Sequence, residues 1–202
     1  MNIIAFETCF GISSVCLHNG DILEDVDTVK NNHSNFLPQA TEKLLKKADI
    51  KVGDLDAVVV NHGPGAFTGI RAGIAFAKGM SFFDSIPMYG VSTLECFVIA
   101  KPKKQTAVAV QALKGYVYFQ IFSEFGLAIT EALHIPIEEI PLMESLITVG
   151  INLPNETKHY AQMPSAKNLI ERFLFQKPPL YTEPLYIRPI NAAISQNMKT
   201  IK

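Results

Sequence analysis

The stretch GPGAFTGIRAGIAFAKG at residues 63–79 constrains the fold more than any other part of this chain. Its opening Gly63-Pro64-Gly65 excludes a regular helix or a central strand, because proline fixes φ and glycine tolerates positive φ. Thr68 then offers a hydroxyl that can cap a helix, which is predicted from Gly69 onward. One face of this helix carries only small residues, spaced four apart: Gly69, Gly73 and Ala77. The run predicts a rigid turn and a helix that another backbone approaches closely, from the chain's own sheet or from a second chain.

The order of the predicted elements indicates two similar halves. Hydrophobic patterns predict strands at residues 3–6, 13–17, 22–29, 56–61 and 87–91, with helices at 37–48 (Ser34 as its cap), 69–83 and 93–100. The polar stretch Lys101-Pro102-Lys103-Lys104 marks a boundary. After it come strands at 106–110, 116–122, 127–135 and 146–150 and helices at 138–145 and 166–175. The pattern predicts an α/β fold with mixed sheets flanked by helices, in two subdomains at 1–100 and 101–202, the second shortened.

The composition argues against several classes of protein. The chain has 202 residues, of which 48% are hydrophobic, enough for a globular core. Its most apolar helix is interrupted by Lys78, and Glu7 interrupts any signal peptide, so neither a membrane span nor secretion is expected. Three cysteines without a CxxC spacing fit reduced thiols in the cytoplasm. A net charge of -1 argues against a protein that grips tRNA on its own, since phosphate contacts need a basic surface.

Five motifs, in order along the chain, resemble those of one known family. The run at 63–79 resembles GPGSFTG followed by R-x-G, with Ala66 in place of the serine. The opening IIAFET resembles the family's ILAIDT, with Glu7 in place of aspartate. The other three motifs are Asn32-His33-Ser34 with Leu37-Pro38 (H-[ST]-x-x-L-P), residues 90–94 (GVSTL) and residues 183–188 (EPxYxR). On these motifs the chain resembles the TsaB family, the partner subunit in bacterial synthesis of threonylcarbamoyladenosine on tRNA.

The resemblance implies a fold of two actin-like (ASKHA, ribonuclease H-like) subdomains and a non-catalytic function. The subunit would dimerise with TsaD, which holds the metal. With the ATPase TsaE it would support transfer of threonylcarbamoyl to N6 of adenosine 37 in tRNAs reading ANN codons. It would meet tRNA only through the complex, in the cytoplasm, without a membrane partner.

The resemblance also implies a dimer interface. The family dimerises through two helices of the N-terminal half, so a homodimer competes with the TsaD heterodimer for one surface. The implied interface residues are Leu37, Thr41, Leu44, Gly69, Ile70, Gly73, Ile74 and Ala77. On this hypothesis Gly73→Leu blocks association and leaves the fold intact.

Two hairpins decide whether the chain is expected to hydrolyse ATP. The first, residues 7–14, keeps a carboxylate at Glu7, which is one methylene longer than the family's aspartate. The second, Gln111–Tyr116, lacks the acid, arginine and glutamate of the family's D-A-R-x-G-E, and a neutral Gln111 cannot stabilise a metal ion electrostatically. We therefore predict no catalytic residues and no required cofactor, with ATP or ADP expected only at an interface with TsaD. The alternative is an active actin-like ATPase or small-molecule kinase.

The glycine-rich turn leaves a second choice open. It precedes a helix, where phosphates bind readily, but it lacks the GKS/GKT lysine of a P-loop. It either contacts a phosphate or only positions the helix. The residues that would lie near a nucleotide phosphate are Glu7, Thr8, Gly63, Gly65 and Arg71. The five histidines are too far apart in sequence to form an HxxxH metal motif, and no nucleophile elbow supports a peptidase.

Overall fold

The computed structural model describes residues 1–26, 32–113, 115–153, 158–161, 163–181 and 183–187. They form two units, and the first combines Met1–Ala100 with Met163–Tyr186. The second unit begins at Lys101. The predicted subdomain 101–202 needs correction at residues 163–186, because the helix in this stretch packs against the sheet of the first unit.

The sheet of the first unit has five strands in the order β3-β2-β1-β4-β5. They are β1 Ile3–Glu7, β2 Ser14–His18, β3 Ile22–Val26, β4 Ala57–Asn61 and β5 Met88–Val91. β2 runs antiparallel to β1 and β3, whereas β1, β4 and β5 are parallel. β1 and β4 are buried along their whole length, as their uninterrupted apolar runs predict for central strands. The edge strand β3 instead alternates exposed and half-buried residues.

Three α-helices lie among the described residues of the first unit: α1 His33–Ala48, α2 Phe67–Phe83 and α3 Ala166–Phe175. α3 packs against β1, β2 and β4, because residues at helical spacing form one buried stripe: Ala166, Leu169, Ile170 and Phe173. A capping box begins it, in which the Asn168 side chain accepts the Ser165 N–H at 2.9 Å. Within the described part of the chain, no helix combines the length and the apolarity that a membrane crossing needs.

The second unit repeats the strand order of the first. Its strands are β6 Thr106–Gln111, β7 Tyr116–Phe122, β8 Leu133–Pro136, β9 Leu146–Val149 and β10 Lys158–Tyr160. They form a sheet in the order β10-β9-β6-β7-β8, with β7 antiparallel to its neighbours and β6, β9 and β10 parallel. The duplication predicted from the sequence is therefore present as the same five-strand topology.

Several predicted elements differ from the structure. The helix expected at 93–100 is a single 3-10 turn at Glu95–Phe97, and the one expected at 138–145 is reduced to a 3-10 turn at Ile137–Glu139. The strand expected at 127–135 covers only Leu133–Pro136, and β10 was not predicted. The cap positions also differ: α1 is preceded by Asn32 rather than Ser34, and α2 by Ala66 rather than Thr68.

Candidate functional site

Side chains from three parallel strands converge at the carboxyl edge of the first sheet. Glu7 ends β1, Asn61 ends β4, and Thr93 follows two residues after β5. In open α/β sheets, ligands bind outside the carboxyl ends of such strands. Here the three side chains are only 2%, 0% and 0% exposed, respectively, so they form a closed group. We call Glu7, Asn61 and Thr93 the buried polar cluster.

Hydrogen bonds within this cluster hold the turn that follows β4. The Asn61 Nδ2 donates to Glu7 Oε2 and, at 3.1 Å, to Thr93 Oγ1. The Asn61 Oδ1 accepts the Gly63 N–H at 2.9 Å. Since the Thr93 hydroxyl has one proton, we assign it to the shortest contact, 2.7 Å to the Pro64 carbonyl. The cluster thus ties the start of the glycine-rich turn to both neighbouring strands.

Glu7 is the acidic member of the cluster. Burial raises its pKa from 4.5 to about 7, although the Asn61 amide and the Cys9 N–H, which donates to Oε1 at 2.6 Å, both act to lower it. Burial has this effect because a low dielectric disfavours the charged carboxylate. Near neutral pH the group is therefore partly protonated and already engaged by donors of its own chain. This environment disfavours a role as a magnesium ligand.

The glycines of the turn lie against backbone of the same chain. A Cβ at Gly65 would lie 2.6 Å from the Cys9 carbonyl oxygen, and one at Gly63 would lie 2.5 Å from that of Leu185. The Ala66 N–H also donates to the Cys9 carbonyl, at 2.7 Å. The space beside these glycines is filled, which favours the alternative in which the turn positions α2 over the alternative of a phosphate loop.

The small-residue face of α2 packs on the end of β1. The Thr8 Oγ1 donates to the Gly69 carbonyl at 2.7 Å. A Cβ at Gly69 would overlap the Thr8 carbonyl oxygen, and one at Gly73 would overlap Thr8 Oγ1. At these two positions the close contact predicted from the sequence is made by the chain's own backbone and side chain. This overlap argues against the expectation that Gly73→Leu leaves the fold intact.

The predicted interface residues all lie inside the first unit. They are buried: Leu37, Thr41, Leu44, Gly69, Ile70, Gly73, Ile74 and Ala77. The reason is that helical periodicity of apolar residues marks the face turned to the core. In this structure of the single chain these residues are packed in the core, which argues against them as partner contacts.

The opposite side of α2 is exposed and was missed from the sequence. We define the outer face of α2 by five exposed residues at helical spacing: Phe67, Arg71, Ala75, Gly79 and Phe82. Phe82 is 80% exposed, and a Cβ at Gly79 would meet nothing within 4 Å. The spacing of four, four, four and three residues was the signal that could have revealed this face.

Arg71 lies in an exposed cluster with two aromatic rings. Its Cζ is 3.8 Å from the centroid of the Phe67 ring, and its Nε donates to the Tyr186 hydroxyl at 3.2 Å. The Phe67 and Tyr186 ring centroids are 5.2 Å apart. We call these three residues the aromatic–arginine cluster. Of the residues predicted near a phosphate, Arg71 is thus at the surface, whereas Glu7 and Thr8 are buried.

The hairpin between β6 and β7 carries the degenerate second motif. The Ala112 N–H donates to the Tyr116 carbonyl at 2.9 Å, which closes the turn. Gln111 is exposed and Leu113 is 82% exposed, while Lys114 lies outside the described residues. The described tip presents a neutral amide and an apolar side chain in place of the acid and arginine that resemblance to the family would require.

The remaining candidate groups have structural roles. The His33 Nδ1 is hydrogen-bonded to Ser13 Oγ at 2.6 Å. The three cysteine thiols are free and buried, and burial raises the pKa of each, which makes them unreactive: Cys9, Cys16 and Cys96. In the described ranges, no group of three or more histidine, cysteine, aspartate or glutamate residues is placed to hold a metal ion.

The fold and the site define an α/β protein of two actin-like units with a closed polar cluster. The sequence model of the family TsaD, tRNA N6-adenosine threonylcarbamoyltransferase, matches residues 27–175. The chain belongs to this family and, within it, to the TsaB (YeaZ) group.

Individual relatives agree with this assignment. The tRNA threonylcarbamoyladenosine biosynthesis protein TsaB of Buchnera aphidicola subsp. Schizaphis graminum is 34% identical over 124 residues, 58% of each chain. TsaB of Escherichia coli is 31% identical over 124 residues, 59% of this chain and 54% of its own. The chain thus spans about half the length of these curated relatives. A crystal structure from Pseudomonas aeruginosa, described as similar to the peptidase YeaZ, has the same fold: TM-score 0.77 at 22% identity, covering 93% of this chain and 99% of that one.

Proposed function

We propose that this chain is a partner subunit in the synthesis of threonylcarbamoyladenosine on tRNA. Its curated relatives are named as biosynthesis proteins of this modification, and its family model is that of the transferase TsaD. In the proposal a TsaD-type transferase carries the metal and transfers the group to N6 of adenosine 37. A TsaE-type ATPase completes the complex, which acts on tRNA in the cytoplasm.

The outer face of α2 is the observation that carries this proposal. A glycine inside a helix costs about 1 kcal/mol relative to alanine. At Gly69 and Gly73 this cost accompanies close contacts with Thr8, but Gly79 has open space beside it. Phe82, one turn further, leaves 80% of its surface exposed. A partner helix that approaches closely at Gly79 and covers the Phe82 ring would account for both features.

The geometry favours a non-catalytic role for the chain. Glu7 is 2% exposed, and the space beside Gly65 and Gly63 is occupied by the carbonyl groups of Cys9 and Leu185. These residues do not fit a nucleotide-phosphate site within the first unit, so we assign no step of ATP chemistry to them. A nucleotide at the interface with the transferase would depend on residues of the partner.

Co-purification with the transferase of the same organism tests the proposal. We expect the wild-type chain to associate with it and to be required for threonylcarbamoyladenosine formation, measured by mass spectrometry of digested tRNA. Phe82→Asp and Gly79→Leu should abolish association, because they place a charge or bulk on the outer face and leave the core untouched. Phe125→Asp is the matched control, since Phe125 is also exposed, at 56%, but lies in the second unit.

Two results would contradict the proposal. Association that survives both outer-face variants would exclude α2 as the partner surface. Sustained magnesium-dependent ATP hydrolysis by the purified chain alone, abolished by Glu7→Ala, would favour the alternative of an active ATPase or kinase. Sedimentation of the free chain at increasing concentration shows whether the same face forms a homodimer, which Phe82→Asp should then also dissociate.

A further inference from the structure

The structure brings two separate sequence motifs together at the start of α2. The Leu185 N–H donates to the His62 carbonyl at 2.8 Å, and the His62 ring nitrogen Nδ1 lies 3.2 Å from the Glu183 carbonyl oxygen. These contacts hold the segment 183–186 beside the glycine-rich turn that follows β4. They place Tyr186 next to the first turn of α2, where it meets Phe67 and Arg71.

The resulting aromatic–arginine cluster is ordered by its own contacts and open to solvent. Phe67 is 52% exposed and Tyr186 is 45% exposed. The guanidinium group of Arg71 lies over the Phe67 ring and is held through Nε by the Tyr186 hydroxyl. Among the described residues, no carboxylate is within ion-pair distance of Arg71, so its positive charge is not neutralised there.

The surroundings of the cluster add one cation and one ring, Lys78 and Tyr181, and one acidic residue, Glu183, whose charge acts on Tyr181. α2 contains two cations, Arg71 and Lys78, and no acidic residue. The Lys78 Nζ lies 5.3 Å from the centroid of the Tyr181 ring. Interleaved cations and exposed rings are typical of surfaces that bind single-stranded nucleic acid, where bases stack on rings and phosphates pair with the cations.

We propose that the aromatic–arginine cluster binds an unpaired nucleotide of RNA. The base stacks on an exposed ring of Phe67 or Tyr186, and the Nη groups of Arg71 pair with a phosphate. An acidic peptide would use the guanidinium group and leave the rings exposed, whereas an apolar peptide would leave the charge unpaired. RNA uses both. The inference rests on the proposed function, which makes tRNA the substrate of the complex.

The test measures binding of an anticodon stem–loop RNA to the assembled complex by fluorescence anisotropy. Phe67→Leu and Tyr186→Leu retain apolar bulk and remove a ring, and each should weaken binding about five- to a hundredfold. Arg71→Gln should also lower the slope of log affinity against log salt by about one. The matched control is Lys158→Gln with Tyr160→Leu, a cation–aromatic pair of the second unit whose Nζ lies 4.6 Å from the ring centroid.

The outcomes separate this inference from the proposed function. Variants that assemble with the transferase but bind RNA like wild type would overturn the RNA site and leave the partner role intact. Loss of assembly in Arg71→Gln would assign the cluster to a protein contact and also overturn it. If the wild-type chain fails to assemble, the proposed function fails. Ultraviolet crosslinking of the stem–loop to the free chain, lost in Arg71→Gln, would still support the cluster.

Discussion

Replacing Glu7 by glutamine should change how the stability of the fold depends on pH. The folded state holds the proton of Glu7 with a pKa of about 7, against an ordinary value of 4.5, because the carboxyl group is buried. A group whose folded pKa is raised contributes stability that is full below its unfolded pKa. That stability is lost as the pH rises through the folded value. For Glu7 the loss therefore extends from about pH 4.5 to above pH 7.

The magnitude follows from these two pKa values. Linkage gives a loss of about 2–3 kcal/mol between pH 5 and pH 8, which the glutamine variant should not show. Urea unfolding followed by far-ultraviolet circular dichroism measures it, and suits a chain without tryptophan. The quantity of interest is the wild-type minus variant free energy of unfolding at each pH. His62 and His134, whose pKa values are lowered by burial, contribute with the opposite sign, and the subtraction cancels them.

A control and a refuting result complete this prediction. Glu42→Gln removes an exposed carboxylate whose pKa is lowered by its hydrogen bond with Lys46, so it should not alter the profile between pH 5 and pH 8. Glu7→Gln adds a constant offset, since its amide NH2 must face one of two donors, the Asn61 amide or the Cys9 N–H. If the wild-type minus variant difference stays flat across this range, Glu7 is ionised throughout and the argument from burial fails.

Three further predictions concern packing and buried hydrogen bonds. Gly69→Ala should destabilise the chain by about 1–3 kcal/mol, whereas Gly79→Ala should stabilise it by about 1 kcal/mol. If the melting temperatures of the two variants shift in the same direction, the packing described for α2 is contradicted. Thr93→Val should cost about 1–3 kcal/mol in urea unfolding, because it leaves the Pro64 carbonyl without its donor. Arg172→Met should cost about 3 kcal/mol, since Arg172 is only 3% exposed and its Nη2 lies 3.4 Å from a Glu95 carboxylate oxygen; an unchanged urea midpoint would argue against this pair.

The parts of the fold that were predicted correctly depend on short-range patterns. β1 and β4 are unbroken apolar runs, which is what a strand buried on both faces requires. α3 was predicted at its observed bounds, because its apolar residues recur at helical spacing. The repeat of the first four strands in the second unit was visible for the same reason, whereas its fifth strand, β10, was missed. Apolar residues that recur at short spacing indicate which face of an element is buried, and this can be seen without knowing the rest of the fold.

The errors concern residues whose structure depends on distant partners. The segment after β5 has apolar spacing that suits a helix, but Arg172, from α3, donates to the Val98 carbonyl at 2.9 Å. That contact joins residues far apart in sequence, and Thr93 likewise bonds to Pro64 across 29 positions. Asn61 was missed as a site residue, although its place at the end of a buried strand was a usable signal. The three side chains of the buried polar cluster meet only once the strands of the first sheet are aligned.

Two kinds of glycine in α2 show what sequence alone could not separate. Gly73 and Gly79 carry the same intrinsic cost of about 1 kcal/mol in a helix interior. Six residues apart on a helix of 3.6 residues per turn, they point in different directions. Gly73 is turned to Thr8, while Gly79 has nothing within 4 Å. Within the described chain the first glycine is explained by packing and the second is not. The proposed partner contact therefore rests on Gly79 and not on Gly73.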